Sequence, residues 1–191
     1  MAMWLSGDPT ADKLLGESPI ALVIGMVLDQ QVRFERAFSA PYDLQQRLGR
    51  KLTAKTIAEL DPSVVLEAFT THRALHRFPG AMAQRVQKLC QIIVDDWAGK
   101  PERVWETAAT GTELVDRLKS LPGFGEQKAK IFAALLGKQL GCRPNGWREA
   151  SSPYGAAGTA ISVADITDAK SFDKVRAFKR DKKAAQQSPS T

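Results

Sequence analysis

The chain has little from which to build a metal centre or a disulfide framework. Its 191 residues include two cysteines, Cys90 and Cys142, and two histidines, His72 and His76. Zinc and iron-sulfur sites draw about four ligands, mostly Cys and His at short spacings, and these residues do not supply that pattern. His72 and His76 stand four apart, as two ligands on one helix face would. No carboxylate or third ligand completes the set, so they are read as surface or interface residues. Long apolar runs are also missing: the longest, residues 20–28, is too short to cross a bilayer, and no secretory signal is seen. Together these features predict a cytoplasmic protein, nucleoid-associated if bacterial, with no membrane partner. No stretch alternates apolar and polar residues as a strand would, and no internal repeat is present.

What the chain does carry is positive charge and helical patterning. Lys and Arg number 27 against 21 Asp and Glu, for a net charge of +6, a balance that favours a polyanionic partner but also serves plain solubility. The length suits one compact domain or two small lobes with a real core. Ser18-Pro19 gives an N-cap followed by proline at the first helical position, which starts a helix over residues 19–31. That helix is apolar almost all round to Leu28 and should be central and buried. Its end is polar: Asp29-Gln30-Gln31, then Val32, Arg33 and Phe34. Such an end either presents amides and an arginine to a partner or simply terminates the helix. Further helices are predicted over residues 36–48, 54–60, 63–69, 81–97, 102–108 and 112–120, so the fold class is all-α.

The most informative stretch is Leu121-Pro122-Gly123-Phe124-Gly125. Pro122 ends one helix, the glycines permit a tight turn, and a second helix begins at once with Ile131, Phe132, Leu135, Leu136 and Leu140 at helical spacing. Free backbone N–H groups at such a helix start can sit on a phosphate, with Lys128 and Lys130 adding charge. The alternative is an ordinary turn between two helices.

The order of these segments resembles the HhH-GPD superfamily of base-excision DNA glycosylases, the group that includes endonuclease III, here without its iron-sulfur cluster. The likeness rests on Leu28-Asp29-Gln30-Gln31, on Gly80-Ala81-Met82-Ala83-Gln84-Arg85, and on the Leu-Pro-Gly-x-Gly hairpin, and covers about residues 19–141. It implies a two-lobed helical fold with a helix-hairpin-helix at about 112–140 and a monomer that binds double-stranded DNA. Gly123, Phe124, Gly125, Lys128 and Lys130 would then hold a phosphate, with Gln30, Gln31 and Arg33 facing the duplex. Gln31 would fill the gap left by an extruded base, and a monovalent cation at the turn fits the family pattern, with no other cofactor expected.

Two positions depart from that pattern. The lysine nucleophile of members that also cleave the backbone falls on Gln127, whose amide cannot form a Schiff base, so base removal without lyase activity is expected. The family's aspartate falls, by counting, on Asn145. Residues 141–160 read as an inserted loop, and the apolar approach to Asp165 and Asp168 before a helix over residues 169–183 offers these two as displaced catalytic carboxylates. Asp168 is better explained as an N-cap, which makes Asp165 the first choice of the two. If neither serves, the alternative is a DNA-binding or damage-sensing protein without catalysis. Trp147 and Tyr154 in the loop are candidates to stack on a flipped base, and Trp147 alternatively anchors the loop to the core. Residues 1–178 form the expected helical domain, and residues 179–191 a basic tail expected to be disordered.

Overall fold

The computed structural model describes residues 3–187, and no strand occurs among them. Helix α1 spans Pro9–Glu17, α2 Pro19–Leu28, α3 Phe34–Leu48, α4 Ala54–Glu59, α5 Pro62–Thr70 and α6 Pro79–Trp97. Then follow α7 Arg103–Glu106, α8 Gly111–Lys119, α9 Glu126–Gln139, α10 Trp147–Ala150, a 3-10 turn Val163–Asp165, and α11 Ala169–Gln187.

Helix α2 is the axis of the first lobe. The Ser18 hydroxyl accepts the Ala21 N–H at 3.3 Å and Pro19 opens the helix, as the cap signal requires. Nine of its residues, Ile20 to Leu28, are buried, and each large aliphatic side chain so removed from water contributes about 1.5–3 kcal/mol. Around it pack α1, α3 and α6, with α4 and α5 laid against α6. The helix stops three residues short of the expected 31, because Asp29 leaves helical angles and Gln31 turns left-handed, with φ of +55°.

The second lobe is built from α7 to α10 and the 3-10 turn, with α8 and α9 forming the hairpin. The inserted segment is not all loop. Within it α10 crosses α9 at Gly137, where a Cβ would stand 2.4 Å from two atoms of the Trp147 ring. Further on, buried Gln139 donates to the carbonyls of Val163 (3.2 Å) and Ala164 (3.1 Å), clamping the 3-10 turn onto the end of α9.

Helix α11 then returns to the first lobe. The Phe172 ring meets Phe34 edge-on at 5.3 Å between centroids, and Lys179 reaches Asp29 at 3.4 Å. Helix α11 continues four residues beyond the expected 183, through Gln187, in a stretch rich in Ala, Lys, Arg and Gln, all strong helix formers. Residues 188–191 of the basic tail lie outside the described residues.

The contact at Gly137 yields a direct test. Gly137→Ala forces a methyl into the Trp147 ring and is expected to lower stability by about 1–3 kcal/mol in urea denaturation. Unchanged stability would contradict the packing.

Candidate nucleic-acid interface

The hairpin turn lies against the end of α2 and the start of α6. Gly123 has φ of +86°, and a Cβ there would stand 2.8 Å from Arg85 Cδ and 3.3 Å from Val27 Cγ1. Only glycine allows both the backbone angle and the approach. Of the three expected phosphate donors, Phe124 is removed, because its N–H is spent inside the turn on the Leu121 carbonyl at 3.1 Å. Its ring is buried, with its centroid 5.9 Å from that of Phe132. The N–H groups of Gly123 and Gly125 have no partner among the described residues. The first-turn N–H groups of α9 have no acceptor within their own helix. These donors and the positive end of the helix dipole open on one mouth whose chemistry suits an anion. Lys130 stands beside it, paired with Glu126 at 2.8 Å. The hydrogen bond from Lys130, then its charge and that of Lys119, hold the Glu126 carboxyl below the usual range.

Lys128 does not point out of this mouth as the sequence suggests. It turns inward, and its Nζ donates to the Val27 carbonyl at 3.0 Å, over the Phe124 ring at 5.9 Å. Desolvation pushes this ammonium down to about 8; Asp29 opposes the shift, while Arg85 and Lys179 add to it. Gln30 is also internal. Its Nε2 donates to the same Val27 carbonyl at 2.7 Å and its Oε1 accepts from Arg85 at 3.2 Å. Lys128 is therefore a strut between the lobes, and Gln30 ties the end of α2 to α6 within the first lobe. Gln31, by contrast, is exposed in its left-handed conformation, an unfavourable angle for a residue with a Cβ and one that concentrates at functional sites. Arg33 is also outward, with its side chain 69% exposed and paired to Glu35 at 3.0 Å.

The proposed carboxylates lie elsewhere. Asp165 Oδ1 accepts from Lys138 (2.5 Å) and Thr159 (2.8 Å), and its Oδ2 from the N–H groups of Ile161 (2.9 Å) and Ser162 (3.1 Å). Its side chain is 3% exposed. Lys138 is near the far end of α9, so this group is held roughly 18 Å along the helix axis from the hairpin turn. Asp168 is exposed and accepts from the Ser171 N–H at 2.7 Å and hydroxyl at 2.8 Å. Those bonds hold its carboxyl below the usual range, so it is the cap of α11. The Asn145 carbonyl accepts the Gly111 N–H at 2.7 Å, which fixes this residue at the start of α8.

The two loop aromatics separate. Trp147 is buried between Gly137 and the Arg148 guanidinium, 4.6 Å from its ring. It shares the lining of a cavity of about 280 Å³ with Lys138 and Asp165. Tyr154 is half-buried, and its hydroxyl meets Gln127 Nε2 at 2.9 Å, so it stands at the hairpin end of α9.

His76 and Arg85 complete the first-lobe side of the junction. His76, expected at the surface or an interface, is 3% exposed and so is not at the surface. Its Nδ1 accepts the Phe78 N–H at 3.0 Å, so Nε2 carries the proton and donates to the Gln30 carbonyl at 2.9 Å. Burial lowers its pKa, as do the charges of Lys128 and Arg85. His76 thereby ties the Gln30–Gln31 turn to Phe78, which is 43% exposed beneath the Arg77 guanidinium. A buried histidine and an exposed phenylalanine next to a Pro-Gly pair left no periodic signal. His72 is exposed, and no group of three metal-ligating side chains occurs among the described residues.

A family model described as HhH-GPD superfamily base excision DNA repair protein matches residues 24–189, from the middle of α2 through α11. Comparison with curated proteins gives no match.

The buried ammonium makes a pH-dependent prediction. From about pH 8 up to the ordinary lysine value of 10.5, the unfolded chain holds the Lys128 proton and the folded chain has released it. Unfolding then takes up protons, so stability rises with pH across this window. Between about pH 7.5 and pH 10 the wild type is expected to gain roughly 2 kcal/mol on Lys128→Met in urea denaturation. Parallel pH profiles would refute the assignment.

Proposed function

The chain belongs to the HhH-GPD superfamily of base excision DNA repair proteins, and on that premise we propose that it is a DNA glycosylase without lyase activity. It hydrolyses the N-glycosidic bond of a damaged or mismatched base flipped out of double-stranded DNA. The observation that carries the proposal is the juxtaposition of the phosphate mouth at Gly123 and Gly125 with the left-handed, exposed Gln31. One grips the backbone; the other stands ready to fill the space of an extruded base. An altered or mispaired base costs less to unstack, which favours its selection. Tyr154, beside Gln127 at the hairpin end of α9, is the loop aromatic assigned to the flipped base. Trp147 supports the loop from below.

Gln127 argues against strand cleavage. Its amide nitrogen donates to the Tyr154 hydroxyl and lacks the nucleophilic lone pair of an amine, so it cannot condense with the sugar aldehyde. Lys128 is engaged at the Val27 carbonyl on the opposite side. The proposed hydrolysis draws on water and side chains, and a monovalent cation at the turn would assist phosphate binding. The protein would act as a monomer in the cytoplasm, on the nucleoid if bacterial.

One observation favours a second reading, a DNA-binding or damage-sensing protein without catalysis. Asn145 occupies the family's aspartate position, and the capping bonds of Asp165 are complete.

Base release decides between them. On duplexes carrying a single uracil, alkylated purine, oxidised base or mismatch, the wild type is expected to release one class of base and to give no covalent adduct with borohydride. Tight, salt-sensitive binding without release from any duplex would favour the non-catalytic reading. A trapped adduct would refute the absence of lyase activity.

A further inference from the structure

Helix α2 ends on an acid where helix electrostatics favour a base. Asp29 is its C-cap residue, and its side chain is 15% exposed. The carbonyl end of a helix carries partial negative charge, so a carboxylate half-buried there is repelled by the helix it caps. Two lysines from distant parts of the chain offset that repulsion. Lys179 of α11 brings its Nζ to 3.4 Å from Asp29 Oδ2. Lys128 of α9 acts on it through charge, and Asp29 is the one carboxylate among the charges that act on that ammonium. Three helices from two lobes thus converge on one acid, next in sequence to Gln30 and Gln31. A local rule broken at such a cost, and compensated from afar, is the pattern of a functional group rather than of a cap.

The other candidates for the same chemistry are spent or misplaced. Both oxygens of Asp165 are filled by four donors at the far end of α9. Asp168 caps α11 in solvent. Asn145 is an amide. Asp29 keeps one oxygen, Oδ1, without a hydrogen-bond partner among the described residues, and it lies on the turn that also carries the exposed Gln31.

We propose that Asp29 is the carboxylate that activates water for base release; this rests on the glycosylase reading above. A water molecule bound at Oδ1 attacks the sugar C1′. The new C–O bond forms as the C1′–N bond breaks, with its electron pair leaving on the base nitrogen. The water proton passes to Asp29 and from there, through solvent, to the departing base, which restores the carboxylate. Lys179 holds the group in place through its other oxygen.

Single-turnover base release on the four duplexes named above tests this with wild type and Asp29→Asn. The variant is expected to bind duplex as the wild type does and to release base about 100-fold or more slowly. The wild-type rate should fall as the pH drops through the carboxylate range, and the residual Asp29→Asn rate should lack that limb. An ion pair that only joined helices would not produce this limb. Release by Asp29→Asn at the wild-type rate overturns the assignment and leaves the glycosylase reading standing. Absence of release by the wild type from every duplex overturns that reading and this inference with it. Should Asp29→Asn not fold, Asp29→Glu, which moves the carboxylate by one methylene, takes its place: slowed release with intact binding supports the assignment, and undiminished release refutes it.

Discussion

The ammonium of Lys128 on the carbonyl of Val27 joins the two lobes beside the hairpin turn. The bond carries charge on one side, so it is stronger than a neutral hydrogen bond, on the order of 1.5–3 kcal/mol net. It also places a cation on the negative end of the α2 dipole, where helix electrostatics favour one. Because α2 is wholly buried in the first lobe and α9 is the central helix of the second, fixing these two ends fixes the lobes. Gln30, Arg85 and His76 then brace the first-lobe side of that junction with neutral and charged hydrogen bonds. The phosphate mouth and the Gln31 turn acquire a set geometry only through this brace.

Much of the architecture was legible in the residue pattern, for simple reasons. Ser18-Pro19 fixes where α2 starts, and its continuous apolar run demands burial. The Pro-Gly-x-Gly turn could join two amphipathic helices only as a hairpin. The directions of individual polar side chains were not legible. Lys128 and Gln30 read as partners for DNA because lysines and amides at helix ends are most often solvated, yet tertiary contacts with Val27 and Arg85 turn both inward. The Phe124 N–H was expected on a phosphate, but the tightness of the turn spends it on Leu121.

Asp165 misled for a related reason. An aspartate after an apolar approach and before a helix serves catalysis and capping alike, and only the placement of Lys138, Thr159 and two backbone N–H groups separates the roles. The inserted segment, rich in glycine and proline, folds around Trp147 because Gly137 leaves room for an indole on α9. A loop reading had no means of finding that contact. Asp29 was hidden by its position, since a polar residue after a buried helix looks like mere termination until its lysine neighbours are known.

The division of labour proposed above follows from this geometry: the hairpin beside a rigid junction to grip the backbone, and an exposed, left-handed glutamine to meet the stack. That arrangement has a specific consequence, base extrusion, which precedes any chemistry and does not depend on which carboxylate acts. The most direct measurement is the fluorescence of a 2-aminopurine placed next to a mispaired base, on binding of wild type and of Gln31→Ala. The account predicts a rise with the wild type, as the neighbouring base leaves the stack, and its loss in the variant while duplex binding persists. Equal fluorescence with both proteins, or no rise with either at saturation, would contradict it.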